Sequence, residues 1–187
     1  MQKLQELITE KDSRLFTADD ILPTESCWLI VRGAVKTFSK NENRKIITLG
    51  YWGANDLIGQ HLSNLDYYQM YCLTCVEAIC IPVDILPEFS TNLIQRARQQ
   101  TVWICIIQTK RASERVFLLL KWLATKFSRP VVQGKLIDLR LTHREIADIL
   151  GTNRVTVTRI INRFEQQGII ARPKQHYIIL CNSDRRI

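Results

Sequence analysis

Residues 141–162 read Leu-Thr-His-Arg-Glu-Ile-Ala-Asp-Ile-Leu-Gly-Thr-Asn-Arg-Val-Thr-Val-Thr-Arg-Ile-Ile-Asn, a run whose punctuation leaves few ways to fold. Thr142 is a good helix N-cap, and Glu145 three residues on completes a capping box. Ile146, Ala147, Ile149 and Leu150 supply an apolar stripe. Gly151 stops that helix, because the chain must turn with a φ that glycine adopts at little cost. A second helix starts after Thr152 and Asn153, either of which can cap it. Its apolar positions, Val157, Ile160, Ile161 and Phe164, step by three, one and three. Arg154, Val155, Thr158, Arg159 and Asn162 are left on the opposite face. Where two such helices cross near a right angle there is room for a methyl and little more, which suits Ala147. The run predicts a helix-turn-helix.

Such a second helix fits the major groove of double-stranded DNA, its N-terminal side chains on base edges and the first helix across the backbone. Arg154 and Arg159 project from one face, and an arginine fork reads guanine O6 and N7 in pairs. Val155 can pack on a thymine methyl, and Thr158 completes the base-reading set. Thr142, Asn153, Thr156 and Arg163 suit phosphates, which position a protein without reading sequence. A buried helical hairpin with a solvated basic face would carry the same pattern. The charge distribution favours DNA. Residues 1–109 hold 10 Lys and Arg against 12 Asp and Glu, a net of −2, whereas residues 110–187 hold 16 against 6, a net of +10. A basic C-terminal part beside a near-neutral remainder is the footprint of a separate nucleic-acid-binding domain.

Ile137-Asp138-Leu139-Arg140-Leu141-Thr142-His143, followed by Arg154-Val155-Thr156-Val157-Thr158-Arg159, resembles the DNA-binding domain of the Crp/Fnr superfamily, and within it the global nitrogen regulators of cyanobacteria and red-algal plastids. The likeness is tight from Lys135 to Gly168 and traceable back to Leu15. It implies an α+β chain in three parts: a β-roll sensor-like domain over 1–88, shortened at its N-terminus, a dimerisation helix over 89–111, and a winged helix-turn-helix over 112–187. It also implies a homodimer on a palindrome with GTA and TAC half-sites, RNA polymerase as a partner, nitrogen or metabolic control, and a bacterial cytoplasm or plastid stroma as the setting. In the cyclic-AMP receptor branch an acidic residue stands where this chain has Val155, so that branch's base preference does not transfer.

The upstream texture agrees. Short runs rich in Ile, Val, Thr and aromatics predict strands at 27–31, 34–38, 45–49, 70–74 and 78–81, as in a barrel or roll. Residues 1–14 are mixed and charged, a short helix or frayed arm. Ile30-Val31-Arg32-Gly33-Ala34-Val35 and Asn55-Asp56-Leu57-Ile58-Gly59 resemble two recurring stretches of the superfamily's roll. Cyclic-nucleotide binders continue with Glu and then an Arg-Ser pair that holds the phosphate. Here Gln60 follows Gly59, and the region of the Arg reads Asn64-Leu65-Asp66-Tyr67-Tyr68-Gln69. An Asp there repels a phosphate, so no cyclic nucleotide is expected. The resemblance also implies 2-oxoglutarate as an effector, and the missing Arg removes a group that would hold its carboxylates.

Ser90 caps a long helix running to about residue 110. Leu93, Ala97, Gln100, Ile104 and Ile107 recur at four, three, four, three, the spacing of a coiled-coil seam, and a two-fold pair is what successive major grooves require. A second amphipathic helix covers 112–127, a loop 131–135 and a short strand 136–139. Two strands at 169–171 and 177–180 form a wing whose basic tip, with Lys174, is placed to touch phosphates. Residues 183–187 form a basic tail.

Other functions find less support. Six scattered cysteines, with no signal peptide and no apolar run long enough to cross a membrane, read as reduced thiols. Cys72 and Cys75 have the gap of a metal or redox pair, but no second pair or neighbouring His completes a set, so no metal is expected. His61, His143 and His176 stand far apart, and no nucleophile–base–acid set or Gly-rich phosphate loop points to an enzyme. The alternative that keeps pace is a ligand-sensing or protein-interaction module with only non-specific DNA binding.

Overall fold

The computed structural model describes residues 13–174 and 176–181, and the chain divides into two compact units, Met1–Val102 and Trp103–Ile187. The basic tail and residues 1–12 of the expected arm lie outside the described residues. Ser13 and Arg14 open a strand instead of a helix or loose arm.

Among the described residues the first unit holds seven strands: β1 (Ser13–Phe16), β2 (Cys27–Arg32), β3 (Val35–Lys40), β4 (Ile46–Trp52), β5 (Leu57–Ile58), β6 (Gln69–Cys72) and β7 (Val76–Ile81). They pair antiparallel into two sheets, ordered β1-β7-β2-β5 and β4-β3-β6. Side chains alternate across a pleated strand, so Val35, Thr37 and Ser39 of β3 turn inward while Lys36 and Phe38 are only half-buried. Trp28, Ile30 and Ala78 from one sheet meet Val35, Trp52 and Met70 from the other in one apolar cluster. Inside it the Trp52 indole N–H donates to Thr37 Oγ1 at 2.8 Å, which offsets the cost of burying both polar atoms. This is the β-roll expected from the sequence.

A short 3₁₀ segment, Val83–Phe89, leads into α1 (Ser90–Gln108). Leu86, Phe89 and Leu93 pack with Cys27, Leu57 and Ile81 in a second cluster. Arg96, only 5 % exposed, reaches back from α1. Its Nη1 donates to the Leu57 carbonyl at 3.1 Å, and its guanidinium lies 4.6 Å from the centre of the Trp52 ring, a cation–π contact.

The second unit contains α2 (Ala112–Phe127), β8 (Ser128–Val131), β9 (Gly134–Ile137), α3 (His143–Ile149), α4 (Arg154–Gln166), β10 (Ile170–Ala171) and β11 (Ile178–Cys181). The four strands form one antiparallel sheet ordered β10-β11-β9-β8. Val116, Leu119, Leu120 and Leu123, at helical spacing on α2, are fully buried. Phe117 meets Phe164 edge-on at 6.2 Å, tying α2 to α4.

Further sequence expectations change, among them the strand expected at 136–139, which runs instead over Gly134–Ile137. The stretch 131–135 is the turn of a β8–β9 hairpin and not a free loop. The strand expected at 70–74 ends at Cys72, where the chain turns into β7. Cys72 is buried there and Cys75 exposed. Burial, reinforced by Asp20 and Cys75, pushes the Cys72 thiol up to about 12, which keeps it from acting as a thiolate at neutral pH.

Candidate nucleic-acid interface

The helix-turn-helix forms as its sequence dictates. Glu145 N–H donates to Thr142 Oγ1 at 3.1 Å, and the Thr142 N–H donates to Glu145 Oε2 at 2.8 Å, so the capping box is complete. Gly151 takes φ +60° at the turn, and the Thr152 N–H reaches back to the Ala147 carbonyl at 2.9 Å. Asn153 Oδ1 accepts from the Thr156 N–H at 2.8 Å and caps α4. Ile146, Ala147, Val157 and Ile161 are buried at the helix crossing.

That packing leaves one face of α4 outward. Arg154, Val155, Thr158, Arg159, Asn162, Arg163 and Gln166 line a shallow groove along it. Val155 is 78 % exposed, an uncommon setting for a β-branched apolar side chain and a suitable one for a thymine methyl. Arg154 also borders a second cleft, between the N-terminus of α3 and the wing, with Thr142, His143, Arg144, Arg172, Lys174 and His176 around it. The Leu141 N–H holds that side of the wing by donating to the His176 carbonyl at 2.9 Å. Basic side chains at two helix N-termini form a surface shaped for phosphate.

The residues singled out from sequence therefore fall into groups. Arg154, Val155, Thr158, Arg159 and Arg163 share the groove, while Thr142, Arg154 and Lys174 share the cleft. Asn153 and Thr156 sit together at the start of α4, joined by the cap. On α1, Ala97, Gln100 and Ile104 are exposed, Ile107 is half-buried, and Leu93 packs against the roll.

Thr158 holds more than a groove position. Its hydroxyl donates to the Arg154 carbonyl at 2.9 Å, and His143 Nδ1 lies 2.9 Å from Thr158 Oγ1. With the hydroxyl proton already committed, Nδ1 must carry hydrogen and donate. One hydroxyl thus links α3 to α4. Burial, and then the charges of Arg172, Arg154 and His176, hold the His143 pKa below its ordinary value. A His whose folded pKa is lowered takes up its proton more readily in the unfolded chain. Stability is therefore complete above the unfolded value, about 6.5, and falls as pH drops through it. His143→Asn keeps a donor for Thr158 and removes the titration. Thermal melts of the variant are expected to change less than those of wild type between about pH 7 and 5.5.

Sequence reasoning missed Arg172 as more than a basic wing residue. It is joined to α4, its Nε donating to Glu165 Oε2 at 3.0 Å, its Nη2 to the same carboxylate, and its Nη2 to Asn162 Oδ1 at 3.0 Å. The hydrogen bonding from Arg172 holds the Glu165 carboxyl below its usual range. The Glu165 and Arg172 pair, seven residues apart across a turn, was the available signal.

Comparison with known proteins agrees with this geometry. Residues 114–185 match the Crp-like helix-turn-helix domain. The chain is 37% identical over 155 residues to the Regulatory protein CysR of Synechococcus elongatus, covering 81% of this chain and 75% of that protein. It is 30% identical over 165 residues to the Putative HTH-type transcriptional regulator ycf28 of Porphyra purpurea, covering 81% and 70%. With the Global nitrogen regulator of Synechococcus elongatus, identity is 28% over 187 residues, covering 91% and 83%. A solved CRP/FNR-family transcriptional regulator from Thermus thermophilus shares the fold at a TM-score of 0.75 and 22% identity, covering 92% of this chain and 94% of that one. A roll, a long helix and an arginine-faced helix-turn-helix with a wing thus occur here in a chain that belongs to the Crp/Fnr family of transcriptional regulators.

Proposed function

We propose that the chain acts as a homodimer that binds a palindromic promoter site, with Arg154 and Arg159 on guanines of GTA/TAC half-sites and Val155 against a thymine. The observation that carries this reading is the outward face of α4, where two arginines flank an exposed valine. Thr142, Asn153, Thr156, Arg163 and Lys174 set the register on phosphates. Support for dimerisation comes from α1, which leaves Ile94, Ala97, Thr101 and Ile104 exposed at steps of three, four, three. That stripe shares Ala97 and Ile104 with the seam read from sequence and is turned slightly from it, because Leu93 belongs to the roll. Two copies joined there carry recognition helices to grooves about one helical turn apart.

In this reading RNA polymerase is the next partner, the controlled genes serve nitrogen or other metabolism, and the setting is a bacterial cytoplasm or plastid stroma. The names and organisms of the relatives from Synechococcus and Porphyra support the nitrogen control and the setting. No described helix is long and apolar enough to cross a membrane. The roll works without a cyclic nucleotide. Within 64–69, where the phosphate-holding Arg would stand, Tyr68 turns into the core at 2 % exposure, beside Arg96 and Thr37. The missing Arg argues equally against 2-oxoglutarate.

Selection of bound duplexes from a random pool, with and without 2-oxoglutarate, tests the whole reading. A palindrome with GTA and TAC arms, recovered under both conditions by a particle of twice the chain mass, is expected. Recovery of unrelated sequences would leave a module that binds DNA without reading it.

A further inference from the structure

Arg172 differs from the other cations of the interface in being committed to its own helix-turn-helix. Arg159 and Lys174 have no ion pair among the described residues, whereas Arg172 is held by Glu165 and Asn162, one turn apart on α4. An exposed ion pair adds little to stability, so this one is poorly explained as a fold brace. Its geometry says more. A guanidinium is a rigid planar fork, and here its Nε–Nη2 edge is directed at one stretch of one helix. Arg172 directly follows β10, the first wing strand, so the fork joins the wing to the recognition helix. By donating to Asn162 Oδ1 it also decides which way that amide faces. The carbonyl is taken by the wing, which leaves Nδ2 as the amide's free donor, and Asn162 lines the groove beside Arg159 and Arg163.

We propose that Arg172 is a positioning residue for DNA reading, latching the wing to α4 through Glu165 and presenting the Asn162 amide to the DNA as a donor. The inference rests on the function proposed above. Glu165 neutralises the guanidinium, so Arg172 contributes to the selected site through Asn162 and not as a free phosphate contact. Lys174, two residues on, supplies the sequence-independent attraction.

The test measures the affinity of the full chain for its selected palindrome and for a scrambled duplex, over a range of salt concentrations. Arg172→Ala is expected to weaken the palindrome about fivefold or more and leave the scrambled duplex nearly unchanged. Arg172→Lys keeps the charge but not the fork and is expected to follow it, which guards against a folding defect in the alanine variant. Asn162→Ala should reproduce the loss, and the double variant should be no worse than either single one, because both remove one coupled arrangement. Glu165→Gln keeps an acceptor for Arg172 but leaves the guanidinium charge unneutralised. Scrambled DNA should then bind more tightly, and the salt slope should steepen by about one per chain. If Arg172→Ala weakens both duplexes alike and lowers the slope, Arg172 is an ordinary phosphate contact and the inference is overturned. It is also overturned, alone, if wild type reads sequence and none of these variants changes the discrimination. A wild type blind to sequence overturns the proposed function and this inference together.

Discussion

Arg159→Ala is expected to weaken binding to the palindrome by about 1–3 kcal/mol per half-site and to relax the requirement at one base position. The reason lies in what surrounds the side chain. Arg159 is exposed on the outward face of α4, with Ile160 and Ile161 beside it turned into the core. Its donors are not committed to an acid among the described residues, so the fork is available for guanine. In a two-fold assembly the loss occurs twice. Lys174→Ala provides the contrast. A lysine at the wing meets phosphate as a point charge, so its removal should weaken every duplex about equally and reduce the salt slope by about one. Gel-shift titrations of both variants against single-base variants of the palindrome separate the two outcomes. Equal behaviour of the two variants on all duplexes would remove the assignment of Arg159 to base reading.

Gly134→Ala is expected to be the most damaging small substitution in the second unit. Gly134 is buried at the start of β9, opposite Val131 on one side and Cys181 on the other. Its φ is +151°, and a Cβ there would stand 2.0 Å from the Leu180 carbonyl oxygen. Neither the backbone conformation nor the contact can relax without parting β9 from β11. Strain and overpacking together imply a loss of about 3–5 kcal/mol. Gly168→Ala is the control, because Gly168 has φ +69° but nothing within 4 Å of an added Cβ. It should cost only the left-handed backbone term, about 1–2 kcal/mol. Urea titrations of both variants read the difference, and a Gly134 variant no weaker than the Gly168 one would contradict the steric account.

The helix-turn-helix was legible because each of its signals is local. Thr142 and Glu145 close their box within one turn, Gly151 follows directly, and the apolar period of α4 is carried by four residues. Elements that depend on distant partners were not legible. β1 presents Arg14 and Leu15 to solvent and is a strand because β7 pairs with it across a long stretch of intervening chain. β8 contains Ser128-Arg129-Pro130, which reads as a helix stop; Pro130 is tolerated because β8 is the sheet edge. The seam on α1 shows the same limit. Spacing reveals that a helix has an apolar stripe, but the roll decides that Leu93 is used at home while Ile94 stays exposed. In the interface, outward positions on α4 could be read from the period, whereas the tie between Arg172 and Asn162 arises only when the chain returns through the wing.

The doubly engaged hydroxyl of Thr158 divides neighbouring positions of α4 into two kinds. Val155 is largely exposed, so in the proposed reading exchange there retunes which bases are favoured while the scaffold stays intact. Thr158 couples any such change to the junction between two helices, through His143 and the Arg154 carbonyl. Drift in operator preference within this lineage should therefore proceed through residue 155, with residue 158 changing only in step with residue 143.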